Sequence, residues 1–111
     1  MKNYIKEGKT LDLIAPYTVS SGSGLEVGSV FGVAANDAAS GAAVEAMVEG
    51  VFTLAKNSAE AWTVGELLYW DNTAKVVTAT STSNKLIGVA YAIAANPSST
   101  GQVRLNGAFI S

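Results

Sequence analysis

The 111-residue chain contains no histidine and no cysteine. The first absence removes Ser-His-Asp and Cys-His nucleophile systems, His-ligated metals and the commonest general base. The second removes disulfides and thiolate metal sites. Charge is scarce as well: Asp, Glu, Lys and Arg make up 14% of the residues, against about 25% in an ordinary soluble domain. Seven basic side chains stand against nine acidic ones. With Arg104 the single arginine and no basic run, nucleic-acid binding by phosphate neutralisation has no support. Apolar runs are short and broken by glycine, far below the span of a bilayer. The N-terminus lacks the hydrophobic stretch of a signal peptide. These absences lead us to expect a chain made and kept in a cytoplasm, with neither membrane nor nucleic acid as a partner.

What is present is apolar: 49% of the residues are hydrophobic and the net charge is only −2. A chain of this length builds one core, and so little charge leaves a free monomer poorly protected against self-association. Self-association, or attachment to a scaffold, is the expected consequence. Turn residues recur every eight to twelve positions or so, the spacing of an all-β domain. Residues 10–15 alternate, with Leu11, Leu13 and Ala15 on one face and Asp12 and Ile14 on the other, until Pro16 ends the strand. Further strands are predicted at residues 25–27, 30–35, 86–93 and 102–105. Residues 44–54 read as a strand with a bulge or bend at Gly50, and the alanine-rich residues 37–43 as the place for a short helical turn. Residues 66–80 form the clearest hairpin, turning at Asp71-Asn72-Thr73-Ala74. Gly28–Asn36 lines up with Gly88–Asn96, and Gly50-Val51-Phe52 with Gly107-Ala108-Phe109, so two strand-turn-strand units are expected in pseudo-equivalent places.

Chemistry-bearing motifs fail on inspection. Gly8-Lys9-Thr10 ends like a P-loop, but Asn3 stands where its first glycine belongs and no strand can precede it. Gly22-Ser23-Gly24 begins like a dinucleotide fingerprint, but Val27 replaces the third glycine. The carboxylates are scattered, and Glu45 and Glu49 read as a solvated face and not as an acid–base pair. No catalytic residue, metal site or cofactor is expected. Trp62 and Trp70, large amphipathic rings near the Gly65 turn, are candidates for an oligomer interface.

Several segments, in order and nearly end to end, together resemble one family. They include Met1-Lys2-Asn3-Tyr4-Ile5, Val27-Gly28-Ser29-Val30-Phe31-Gly32-Val33-Ala34, Glu49-Gly50-Val51-Phe52, Leu68-Tyr69-Trp70-Asp71, Leu86-Ile87-Gly88-Val89-Ala90 and Val103-Arg104-Leu105-Asn106-Gly107. The family is that of short tailed-phage and prophage proteins of the domain-of-unknown-function 2190 type, regarded as capsid cement or head decoration proteins. Its members have often carried a RecA/RadA recombinase label, which the incomplete P-loop and the low charge contradict. The resemblance implies a mostly β, single-domain, compact β-barrel or β-tulip-like fold with at most one short helix. It implies a homotrimer on the outer capsid surface, bound to the major capsid protein, with no small-molecule substrate. Residues 1–7 become a capsid-contacting arm (Met1, Lys2, Asn3, Tyr4, Ile5 and Lys6 at the contact) and residues 8–111 the β domain. Tyr4 and Ile5 would anchor the arm, and Lys2 and Lys6 would meet acidic capsid surface. Two alternatives remain open: another phage structural β protein (tail-tube, head-completion or fibre-associated), or a small-ligand-binding β-barrel.

Overall fold

A computed structural model describes residues 8–110, and among them the regular structure is nine strands with no helix. Strands β1 (Thr10–Ile14), β2 (Gly24–Val27), β3 (Val30–Ala34) and β4 (Ala43–Met47) make one antiparallel sheet in the order β1-β4-β3-β2. Strands β5 (Glu49–Ala55), β6 (Leu67–Asp71), β7 (Val76–Thr78), β8 (Lys85–Ala90) and β9 (Thr100–Asn106) make a second, in the order β5-β9-β8-β6-β7. Period-2 alternation places the side chains. In β4, Val44 and Ala46 are buried while Ala43, Glu45 and Met47 are exposed; in β9, Gly101, Val103 and Leu105 are buried while Gln102 and Arg104 are exposed. The second sheet curls into a half-barrel. Val77 of β7 meets Lys56 in a parallel bridge, and the Asn57 N–H donates to the Val77 carbonyl at 2.9 Å.

The mostly β, single-domain expectation holds, with local differences. The bend expected within residues 44–54 is a change of sheet: β4 ends at Met47, and β5 starts at Glu49 in the other sheet, with Gly50 at φ 132°. Glu45 and Glu49 therefore lie in different sheets. Residues 37–43 hold no helical turn. Ala38 is bridged to Val19, and Gly41, at φ 86°, donates its N–H to the Ala15 carbonyl. The long strand expected over residues 86–93 stops at Ala90, because Ala94 is drawn away into a bridge with Trp62. The Asp71 hairpin forms as expected, its Oδ1 accepting the N–H groups of Thr73 and Ala74 at 3.0 Å each.

The two sheets are copies of one topology. Strands β1, β2, β3 and β4 correspond to β5, β6, β8 and β9, with β7 as an addition to the second copy. The ladders agree residue by residue: Val33↔Met47 and Ala34↔Ala46 match Val89↔Arg104 and Ala90↔Val103. Loop hydrogen bonds agree too. Gly22 N–H donates to Ala34 and Gly65 N–H to Ala90, both at 2.8 Å, and both glycines have positive φ. The Val19–Ala38 bridge is repeated by Trp62–Ala94. The expected duplication is therefore present, but in a different register at its start. Gly32, and not Gly28, is the counterpart of Gly88, and Gly50 lies in β5, the counterpart of β1, so it does not match Gly107, which follows β9.

Each repeat has its own interior. Leu25, Val44 and Ala46 belong to the first core, and Leu54, Trp62, Leu68, Val77 and Val103 to the second. The outer face of β2 and β3 is buried as well, since Phe31 and Val33 join the second core. The Phe31 and Trp70 rings lie 4.9 Å apart, tilted at 54°. A side chain at Gly24 would come within 2.8 Å of Phe31 and 2.9 Å of Trp70, so only glycine admits this approach. Polar contacts seal the rim: Lys85 Nζ donates to the Gly28 carbonyl at 3.0 Å, and Lys75 Nζ sits 4.0 Å from the Tyr17 ring centroid.

Close packing against glycine gives a direct test. A Cβ at Gly101 would overlap the Trp62 ring, which is 1% exposed and has nowhere to go. Gly101→Ala is expected to cost about 1–3 kcal/mol in urea unfolding. Gly8→Ala, with nothing within 4 Å of the added carbon, should leave the midpoint unchanged.

Candidate functional site

The most organised polar group among the described residues is Glu60, in the β5–β6 connection. Its carboxylate accepts hydrogen bonds from the Thr78 hydroxyl, from the Ala79 N–H at 2.8 Å and from Trp62 Nε1 at 3.3 Å. Partial burial works to raise its pKa; the hydrogen bonds, with Lys56 nearby, outweigh this and hold it below the ordinary value. Lys56 is 3% exposed, donates Nζ to the carbonyls of Asn57 and Ser98, and lies 5.6 Å from the Trp62 ring centroid. The contacts with Thr78, Ala79 and Ser98 tie the end of β7 and the β8–β9 loop to the β5–β6 connection. The cluster is a latch on the half-barrel. It holds one carboxylate, and the Thr78 hydroxyl and Lys56 ammonium both donate hydrogen bonds within it. Sequence reading did not find it, because Glu60 and Thr78 are joined only by the fold.

Trp62 and Trp70, the interface candidates, lie inside the chain at 1% and 2% exposure, and their rings have no surface to offer a partner. Trp62 packs against Gly101, and Trp70 packs at a tilt against Phe31 while donating Nε1 to Asn72 Oδ1 at 2.9 Å. Both interiors are filled by side chains, which argues against a ligand-holding barrel. Among the described residues no group of three or more His, Cys, Asp or Glu could hold a metal ion, and no helix is long and apolar enough to cross a membrane. The arm residues Met1, Lys2, Asn3, Tyr4, Ile5 and Lys6 lie outside the described residues.

Surface is what remains. Large apolar side chains are exposed mainly on the second repeat: Val51 at 46%, Leu67 at 52%, Tyr91 at 56% and Phe109 at 82%. Cross-strand pairing sets Val51, Arg104, Val89 and Leu67 in one row over β5, β9, β8 and β6. The row carries exposed apolar side chains with one cation, Arg104, among them. The model of a family described as phage cement protein matches residues 5–105. The chain belongs to the phage cement protein family. No curated protein and no solved structure matches it. Membership assigns the chain a structural role in the phage capsid.

The latch sets an acid response. The pKa of Glu60 is lowered on folding, so its contribution is complete above the ordinary glutamate value and is lost as pH falls through the lower folded value. Glu60→Gln should lower the melting temperature at neutral pH, and the gap to wild type should close on acidification through roughly pH 4. Thermal melts across that range check this; a gap independent of pH would show that the carboxylate charge plays no part.

Proposed function

We propose that the chain decorates the outer surface of the mature phage head as a homotrimer, bridging subunits of the major capsid protein and cementing the shell. Membership of the cement family is the observation that carries this reading. The surface chemistry supports it: exposed apolar side chains, few charges, and no acid–base or metal constellation among the described residues. The mechanism is linkage. A protein that binds the expanded shell and not its open or ruptured forms stabilises the shell by mass action, about 2.7 kcal/mol per site at a hundredfold excess over the dissociation constant. Many copies on one lattice multiply a modest contact. Synthesis in the host cytoplasm precedes attachment, and no cofactor, nucleic acid or small-molecule substrate takes part.

In this reading residues 1–7 form the capsid-contacting arm. Tyr4 and Ile5 supply apolar anchors, and Lys2 and Lys6 meet acidic capsid surface. The arm's contact with the capsid would be the addition of a strand to an exposed sheet edge. Deleting residues 1–7 is expected to leave a folded oligomer that no longer cosediments with expanded capsids. Cosedimentation equal to that of the full chain would remove the arm from the mechanism.

A further inference from the structure

A recess of about 240 Å³ opens on the seam between the two repeats. The loop before β2 supplies one wall, and Trp70 and the Lys75 turn of the second repeat supply the other. Val19 and Trp70, one from each core, give it an apolar floor. Thr18, Ser20 and Ser23 stand on its rim and are exposed. Among the described residues their hydroxyls have no hydrogen-bond partner. Ser21, between them in the chain, does not line the recess. It donates its N–H to Asp37 Oδ1 at 2.7 Å and its hydroxyl to the Ala35 carbonyl at 3.4 Å. The hydroxyls of this loop that stay unpaired are the ones on the recess.

The fold itself sets the shape. Gly22 N–H donates to the Ala34 carbonyl at 2.8 Å, Ser23 N–H to the Ser20 carbonyl at 3.0 Å, and the Tyr17 hydroxyl to the Gly24 carbonyl at 3.1 Å. Opposite, Lys75 at φ 59° donates its N–H to the Asp71 carbonyl at 2.7 Å, and its Nζ to Asn72 Oδ1 at 3.2 Å. Groups fixed in this way lose little freedom when a ligand arrives.

Charge decides the kind of ligand. Lys75 is the one charged side chain on the lining, and its ammonium is already engaged by Asn72 and the Tyr17 ring. Carboxylates stand around it: Glu26 beside Tyr17, Asp37 beside Thr18 and Ser20, and Asp71 in the Lys75 turn. An anion would meet these carboxylates with only a committed cation to offset them. Burial first, and the Glu26 charge with it, hold the Tyr17 phenol above its ordinary pKa, so it stays a neutral donor. A hydroxyl both donates and accepts, so the rim suits a neutral ligand that carries hydroxyls of its own around a C–H face. The volume lies just below the roughly 300–1,000 Å³ of sites for drug-sized ligands, which is room for a single sugar ring.

We propose that this recess is a saccharide site. It takes one neutral sugar ring, either a free monosaccharide or the end of a glycan, with the sugar hydroxyls on Thr18, Ser20 and Ser23 and its C–H face on Val19 and Trp70. The site goes beyond the cement reading and does not depend on it, since the free protein suffices to test it.

Amide and indole N–H shifts of the full chain are followed by NMR during titration with glucose, galactose, mannose, rhamnose and N-acetylglucosamine, each also as its methyl glycoside. Inorganic phosphate and acetate serve as anionic probes. At least one sugar should move the signals of residues 18–24, Lys75 and the Trp70 indole saturably, with a dissociation constant on the order of a millimolar. Thr18→Val combined with Ser20→Ala should weaken this at least about tenfold and leave the melting temperature unchanged. Ser21→Ala, whose hydroxyl faces elsewhere, should bind as wild type does. Equal binding of the methyl glycoside identifies the end of a longer glycan as the occupant; binding of the free sugar alone identifies a monosaccharide. No saturable shift with any of the sugars up to about 100 mM, binding that survives loss of the two hydroxyls, or shifts with phosphate or acetate alone would each overturn the proposal.

Discussion

The burial of one sheet's outer face against the next repeat holds this molecule together. Phe31 and Val33 point away from their own core and into the second one, where Phe31 meets Trp70. Burying a side chain of that size contributes about 1.5–3 kcal/mol, a large share of the 5–15 kcal/mol by which a domain is stable. Gly24 makes the approach possible, and the contacts of Lys75 and Lys85 close over its edge. Two repeats that would each be marginal alone become one body.

The differences between the repeats follow from single residues. Lys56 and Asn57 in the second repeat correspond to Ala15 and Pro16 in the first, by the match of the Ala15–Ala42 and Lys56–Ser99 hydrogen bonds. The Asn57 N–H anchors β7. Pro16 has no N–H to give, so the first sheet has no matching anchor point. Instead, Tyr17 turns its hydroxyl onto the Gly24 carbonyl at 3.1 Å. The second repeat adds β7 and needs the Glu60 latch to hold it. One sheet is therefore open and the other a half-barrel, from the same topology.

Alternation in β1 and the Asp71 turn were legible in the residues, because each depends on near neighbours. What the sequence hid depends on which sheet a strand joins. Residues 44–54 alternate through a change of sheet, and a period of two cannot report that. The repeat was visible in kind, but glycine- and alanine-rich strands match in several registers, and only the ladder pairs Gly32 with Gly88. An isolated tryptophan reads the same whether it faces a partner or a core; Gly101 opposite Trp62 and Gly24 opposite Trp70 decide for the core. The Glu60 contacts join residues 18 and 19 apart in sequence, with no motif to announce them.

The proposed mode of action is adhesion between surfaces, with no bond made or broken. Its central claim is that attachment stabilises the shell. Calorimetry of expanded capsids, with and without the saturating protein, measures this directly. The account predicts that the shell transition moves to higher temperature and keeps rising with protein concentration. A transition that stays in place while the protein is bound would contradict it.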